Sequence, residues 1–179
     1  MSNIVVLHGS ARARGNTAQL VQAFVRGAEE AGHQVTVLSV AALSIHPCIG
    51  CERCATASDH ACFQKDDMPQ VCAALAQADT FVVASPVYFY GISAQLKALI
   101  DRLHTPMRNR FAIRRAALLL VAGNTLPDLF DAILLQYRMI LRYFNIEDFG
   151  HILVGGVREP GAISSHPALE EAYQLGKRM

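Results

Sequence analysis

Five short apolar runs are spaced along the chain, and the stretches between them repeat apolar residues every three to four positions. Three of the runs are almost continuously apolar, at residues 4–7, 81–84 and 116–121, which is typical of parallel strands buried on both faces. The runs at 35–38 and 147–154 mix apolar and polar residues and therefore indicate edge strands.

The intervening apolar positions form one stripe on each predicted helix. The stripes are Leu20, Phe24 and Ala28; Met68, Val71, Cys72 and Leu75; Leu96, Leu99, Ile100 and Leu103; and Phe130, Ile133, Leu134, Tyr137, Leu141 and Phe144. A last, short helix is predicted to begin near Pro167. Strands that alternate with helices, with edges at the second and fifth strands, predict an α/β, flavodoxin-like three-layer sandwich. Its five-stranded parallel sheet has the order 2-1-3-4-5.

Composition limits the class of protein further. The chain has 179 residues, 52% of them apolar, which predicts one domain over 1–179, and its net charge of +1 gives no reason to expect nucleic acid or a membrane as a partner. No stretch is long enough to span a bilayer and the first residues do not resemble a leader, so we expect a cytoplasmic protein. In that compartment its five cysteines are expected to be ligands, catalytic thiols or core residues rather than disulfides.

Three loops follow strand runs and would meet at the carboxyl edge of the sheet, where such folds hold a nucleotide or a flavin. The first loop carries Gly9, Ser10, Arg12, Gly15, Asn16 and Thr17. Its backbone N–H groups and side-chain donors lie at a predicted helix start and suit a phosphate, although it is neither a P-loop nor a Gly-x-Gly-x-x-Gly dinucleotide motif. The alternative is that Asn16 or Thr17 only caps the helix.

The second loop is rich in aromatic residues. Pro86 stiffens it, while Tyr88, Phe89 and Tyr90 offer flat faces to a conjugated ring, and Gly91 allows a close approach to the backbone. Packing in the core or between subunits is the alternative use of these aromatic side chains. A third loop, at residues 122–124, follows the fourth strand.

Together these motifs resemble the NADPH-dependent FMN reductase family, in a flavodoxin-like branch close to iron-sulfur flavoproteins. The matching segments are Gly9-Ser10-x-Arg12-x-x-Gly15-Asn16-Thr17, Ser85-Pro86-Val87-Tyr88, Ile92-Ser93-Ala94-Gln95-Leu96-Lys97, Asp101-Arg102 and Gly155-Gly156-Val157-x-x-Pro160-Gly161. The resemblance covers residues 4–161. It departs from the common pattern at Ala11, where many relatives have proline, and at Gly123-Asn124, where many have paired glycines.

The resemblance implies an FMN cofactor and NAD(P)H as electron donor. The implied FMN-binding residues are Ser10, Arg12, Asn16, Thr17, Pro86, Val87, Tyr88, Phe89, Gly91, Gly123 and Asn124. Because the flavin itself accepts the hydride, no catalytic residue of the protein is assigned. Members of the family usually form homodimers or homotetramers with the flavin near a subunit interface, and the same is expected here.

The segment 41–67 is too long for an ordinary connection and contains four cysteines. Cys48, Cys51 and Cys54 have C-x2-C-x2-C spacing and Cys62 follows, so the four thiols can hold a [4Fe-4S] cluster, as in the compact motif of iron-sulfur flavoproteins. Zinc fits this spacing less well, and redox-active thiols or loop packing are further alternatives. Cys72, on a helix stripe, is expected to be a core residue.

Two classes of function follow. The first is an enzyme that passes electrons from NAD(P)H through FMN to a small acceptor such as a quinone or a nitroaromatic compound. The second is an electron carrier that uses FMN and a cluster between protein partners, with a ferredoxin-like donor. A redox sensor that switches a partner through its cysteine loop is a third, weaker alternative.

Overall fold

The computed structural model describes residues 1–179, apart from the side chains at positions 107 and 109. Five long strands form a parallel sheet: β1 (Asn3–His8), β2 (Gln34–Ser39), β3 (Thr80–Tyr88), β5 (Arg115–Val121) and β6 (Glu147–Val154). The two-residue strand β4 (Gly91–Ile92) pairs antiparallel with the end of β3. The order β2-β1-β3-β5-β6 is the predicted 2-1-3-4-5 order of the long strands, with β2 and β6 at the edges.

Helices cover both faces of the sheet, as predicted. α1 (Asn16–Glu30) and α6 (Ala168–Lys177) pack on one face, while α3 (Met68–Gln77), α4 (Ala94–Asp101) and α5 (Asp131–Phe144) pack on the other. Alternate residues of β1 enter the two cores, so that Ile4 contributes to the first and Val5 to the second. The segment 41–67 holds only the four-residue helix α2 (Arg53–Thr56), and a 3₁₀ helix spans Pro106–Arg110.

The two helices on the first face are in close contact through glycines. A Cβ atom at Gly27 would lie 2.0 Å from the carbonyl oxygen of Tyr173, and one at Gly176 would lie 2.1 Å from the carbonyl oxygen of Phe24. The backbones of α1 and α6 approach one another so closely at these two positions that nothing larger than hydrogen fits there. This close pairing leaves β2 and β6 partly uncovered on that face, with grooves beside them of about 410 and 550 Å³.

Among the described residues, no helix is both long and apolar enough to cross a membrane.

Candidate functional site

The structure brings the three predicted loops to one edge of the sheet. β1, β3 and β5 end side by side there, with His8 opposite Ala84 and Pro86 opposite Val121. The Gly9 N–H donates to the carbonyl of Ala84 at 2.7 Å. A Cβ atom at Gly9 would lie 2.7 Å from Cδ2 of Leu96, so the first loop packs directly against the start of α4.

The N-terminus of α1 has backbone N–H groups without a partner inside the helix. Its N-cap is Gly15 and no side chain caps it; of the six described α-helices only α4 has a side-chain cap, where the Ser93 hydroxyl accepts from the Leu96 N–H. The first N–H groups of a helix have no partner inside the helix, so those of α1 are available to a ligand. The preceding loop is braced by the Arg12 N–H, which donates to Oγ of Ser10 at 3.1 Å. Ser10 and Thr17 are buried here, and Arg12 is exposed.

Asn16 has a different role from the phosphate donor that its position in the first loop predicts. Its Nδ2 group donates to the carbonyls of Val157 and Glu159, both at 2.9 Å, and its Oδ1 accepts from the Gly161 N–H at 2.9 Å. Both amide hydrogens are therefore engaged, which leaves only the backbone N–H for a phosphate. The side chain instead ties α1 to a segment about 140 residues later, a contact for which the local sequence gives no signal.

The second loop is a tight hairpin that projects from the sheet. Val87 pairs with Ile92 and Tyr88 with Gly91, which leaves Phe89 and Tyr90 as its two central residues. Both adopt positive φ, 48° and 63°, a region that non-glycine residues rarely occupy and that costs about 1 kcal/mol or more each. Phe89 is 98% exposed. The hairpin therefore presents a solvent-exposed aromatic ring, in edge-to-face contact with Tyr90 at a centroid distance of 6.1 Å, at the same edge as the first loop.

The third loop lies against the segment 155–161. The Gly156 N–H donates to the carbonyl of Asn124 at 2.9 Å, and the Asn124 side chain accepts from the N–H of Thr125. A Cβ atom at Gly123 would lie 3.3 Å from Cβ of Arg158, so the stem of this arginine packs over the glycine. Arg158 thus supplies an exposed cation at the candidate site. The sequence did not single it out, because it occupies an unspecified position of the Gly155-Gly156-Val157-x-x-Pro160-Gly161 motif in the loop after β6.

His8 lies beneath the first loop. Its side chain is buried, and its Nε2 has no hydrogen-bond partner in the described part of the chain. Burial lowers the pKa of His8 below its ordinary value, so the ring is neutral near pH 7. An unpaired buried nitrogen of this kind costs about 1–3 kcal/mol.

The cysteine segment does not form a cluster site as folded here. Across the described residues, no three histidine, cysteine, aspartate or glutamate side chains are placed to hold a metal ion. The Sγ of Cys48 accepts from the N–H of Gly50 at 3.5 Å, whereas the Sγ of Cys62 accepts from Nε2 of Gln64 at 3.9 Å. Two of the four thiols thus have separate local partners and no group of three ligands is formed, so this arrangement does not fit a [4Fe-4S] cluster. Cys72 packs against the second core, as expected, and burial raises its pKa.

A buried ion pair closes the base of the cysteine segment. The guanidinium of Arg102 binds the carboxylate of Asp66, and these side chains are 3% and 0% exposed. Asp66 also accepts from the backbone N–H groups of His46 and Met68, while Arg102 donates to the His46 carbonyl at 3.2 Å. Burial alone would raise the pKa of Asp66, but the hydrogen bond from Arg102 and the two backbone donors prevail and lower it.

Comparisons with known proteins identify the family of the chain and its relatives. A family model described as NADPH-dependent FMN reductase matches residues 2–146. An iron-sulfur flavoprotein of Methanocaldococcus jannaschii is 37% identical over 111 residues, 62% of this chain and 56% of the relative, so this chain spans little more than half of that protein.

Two further comparisons extend over nearly the whole chain. An iron-sulfur flavoprotein of Methanosarcina thermophila is 30% identical over 96% of this chain and 87% of the relative. The structure of an NAD(P)H:quinone oxidoreductase from Methanothermobacter marburgensis superimposes with a TM-score of 0.81 and 21% identity, covering 99% of this chain and 96% of that one, which shows a shared fold.

Proposed function

We propose that this chain, which belongs to the NADPH-dependent FMN reductase family and is close to iron-sulfur flavoproteins, is an NAD(P)H-dependent FMN oxidoreductase that passes electrons to a small acceptor such as a quinone or a nitroaromatic compound. The observation that carries the proposal is the combination, at one sheet edge, of an uncapped helix N-terminus and an exposed aromatic hairpin. The first suits a phosphate and the second suits planar ligands.

Different residues at this edge would hold different parts of FMN. When bound, FMN supplies the group that accepts the hydride. The N–H groups at the start of α1, the Thr17 and Ser10 hydroxyls and the charge of Arg12 would hold the phosphate. The flavin ring would contact four residues of β3 and its hairpin, and Gly123 and Asn124 would close the other side. The four ring contacts are Pro86, Val87, Tyr88 and Gly91. A Cβ atom at Gly91 would meet nothing closer than 3.6 Å, so this side of the hairpin is open to a ligand.

Replacing Thr17 with valine is expected to weaken FMN binding roughly tenfold, because a hydrogen bond to a charged group is worth about 1.5–3 kcal/mol. Riboflavin, which lacks the phosphate, should bind the variant and the native protein equally. The measurement is a fluorescence titration of the flavin-free protein with each flavin. Thr36→Val, on the exposed edge strand, is the matched control and should change neither affinity. Equal losses for FMN and riboflavin would place the phosphate elsewhere.

Replacing Phe89 with glycine is expected to make the protein more stable but to weaken its use of an aromatic acceptor. Glycine adopts positive φ without strain, so the free energy of unfolding should rise by about 1 kcal/mol. The KM for an aromatic acceptor should rise roughly fivefold, since a stacking surface worth about 1 kcal/mol is removed. Steady-state NADPH oxidation with benzoquinone or nitrofurazone measures KM. The Phe89→Tyr variant, which keeps an aromatic ring, should have the same KM as the native protein. An unchanged KM in Phe89→Gly would remove the hairpin from the acceptor site.

NADPH oxidation also tests the function as a whole. The FMN-loaded protein should turn over NADPH with a quinone or a nitroaromatic acceptor, and no turnover with either would contradict the proposal.

We also propose a cytoplasmic homodimer or homotetramer. The exposed apolar side chains of Leu135, Met139 and Tyr143 on α5 support a subunit contact, and sedimentation analysis tests it.

An electron carrier is the second candidate. The spacing of Cys48, Cys51, Cys54 and Cys62 and the names of the iron-sulfur relatives favour it, whereas the separated thiols in the structure do not. Anaerobic purification with assays for iron and acid-labile sulfide distinguishes the candidates. Stoichiometric iron and sulfide, with reduction by a ferredoxin-like donor but not by NADPH, would replace the enzyme with the carrier.

A further inference from the structure

We propose that Arg158 sets how readily the bound FMN is reduced, because its positive charge would lie beside the flavin ring and favour the reduced state. The inference rests on the proposed FMN site, in which Gly123 closes one side of the ring. It concerns a further property of that site, the balance between oxidised and reduced flavin, and assigns this property to a side chain outside the three predicted loops.

The backbone on both sides of Arg158 is fixed by hydrogen bonds. The Nδ2 group of Asn16 donates to the carbonyls of Val157 and Glu159, both at 2.9 Å. The Val157 N–H in turn donates to the carbonyl of Ala122 at 3.0 Å. Arg158 is therefore held between the first residue of α1, where the phosphate would bind, and the end of β5, where the flavin ring would bind.

The stem of Arg158 packs on the third loop, while the residue as a whole is exposed. A Cβ atom at Gly123 would lie 3.3 Å from Cβ of Arg158 and 3.4 Å from its Cα and Cγ, so the glycine lets the stem approach closely. Among the described residues, no acidic side chain forms an ion pair with this guanidinium. Its charge is therefore available to a ligand at this edge of the sheet.

The charge of a flavin changes on reduction, and a fixed cation responds to that change. A hydride from NAD(P)H carries two electrons and one proton, so the flavin gains one negative charge while the nicotinamide ring gains one positive charge. A cation beside the ring therefore attracts the reduced state more strongly than the oxidised one. Arginine suits this role because its side chain stays charged. Arg12 differs, since its expected partner is the phosphate, which hydride transfer leaves unchanged.

The test measures the reduction potential of the FMN-loaded protein by anaerobic titration against a reference dye, and the affinity of the flavin-free protein for oxidised FMN. Arg158→Gln should weaken the binding of reduced FMN roughly tenfold relative to oxidised FMN, which lowers the two-electron potential by about 30 mV. Arg158→Lys keeps the charge and should keep most of the native potential.

Arg178→Gln is the matched control. It also removes one exposed arginine, but from the end of α6 at the opposite edge of the sheet, where the neighbouring Met179 carbonyl accepts from Arg115 at the start of β5. This variant should leave the potential unchanged. Circular dichroism of each variant verifies that the fold is kept.

Three results would overturn the role of Arg158. The first is an unchanged potential in Arg158→Gln, and the second is an equal fall in Arg178→Gln, which would show only an effect of net charge. The third is an equal loss of affinity for oxidised and reduced FMN in Arg158→Gln, which would place the guanidinium on the phosphate. If the native protein binds no FMN, the proposed function fails together with this inference, whereas FMN binding with an unshifted potential removes this inference alone.

Discussion

Replacing Gly176 with alanine is expected to lower the free energy of unfolding by about 3 kcal/mol, at the upper end of the usual cost of overpacking. The added methyl group would lie 2.1 Å from the carbonyl oxygen of Phe24 and 2.9 Å from the backbone nitrogen of Ala28. Both obstacles are backbone atoms of α1, so the helices must separate and lose packing along their length. Urea unfolding followed by circular dichroism measures the change.

The matching substitution Gly91→Ala is the control for this prediction. It adds the same methyl group where the nearest atom is 3.6 Å away, and it should change the stability of the flavin-free protein by less than about 0.5 kcal/mol. Gly27→Ala should behave like Gly176→Ala, because its methyl group would meet the Tyr173 backbone at 2.0 Å. Wild-type stability in either helix variant would contradict the close contact between α1 and α6.

Replacing Asp66 with asparagine is expected to cost about 3–5 kcal/mol, because it leaves the charge of Arg102 buried without a negatively charged partner. The loss should appear first in the cysteine segment, since the carboxylate binds the backbone of His46 and Met68 as well as the arginine. Urea unfolding gives the energy, and limited proteolysis shows whether cleavage begins within residues 41–67. Asp101→Asn breaks the exposed pair with Lys97 and should cost under about 0.5 kcal/mol.

The Asp66 carboxylate also makes the free energy of unfolding fall at low pH. The pKa of Asp66 is lower in the folded protein than its ordinary value of 3.8, so the folded state binds its proton less readily than the unfolded state does. Its contribution is therefore present above about pH 4 and is lost as the pH falls through the lower folded-state pKa. Unfolding curves at a series of pH values should show a steeper acid loss in the native protein than in Asp66→Asn. Parallel curves would remove Asp66 as the cause.

Local patterns predicted the five long strands, their order and the helices on both faces, but not β4, α2 or the 3₁₀ helix. The continuous apolar runs near Val5 and Val82 are strands buried on both faces, and the mixed run near Thr36 is an edge, because the pattern of a strand reports directly which faces are covered. The loops near Ser10 and Pro86 lie at one edge for the same reason, since parallel strands bring their carboxyl ends together.

The sequence by itself therefore determined the sheet order, the helices on its two faces and the edge at which the candidate site lies. The tertiary structure decided what depends on contacts between distant residues: Asn16 bound to the 157–163 segment, Arg158 over Gly123, and the glycine contact between α1 and α6. It also gave Cys48 and Cys62 separate hydrogen-bond partners that their spacing does not specify. The physical reason is that periodicity records burial along one element, whereas a partner across the fold is selected by shape and hydrogen bonding after the elements pack.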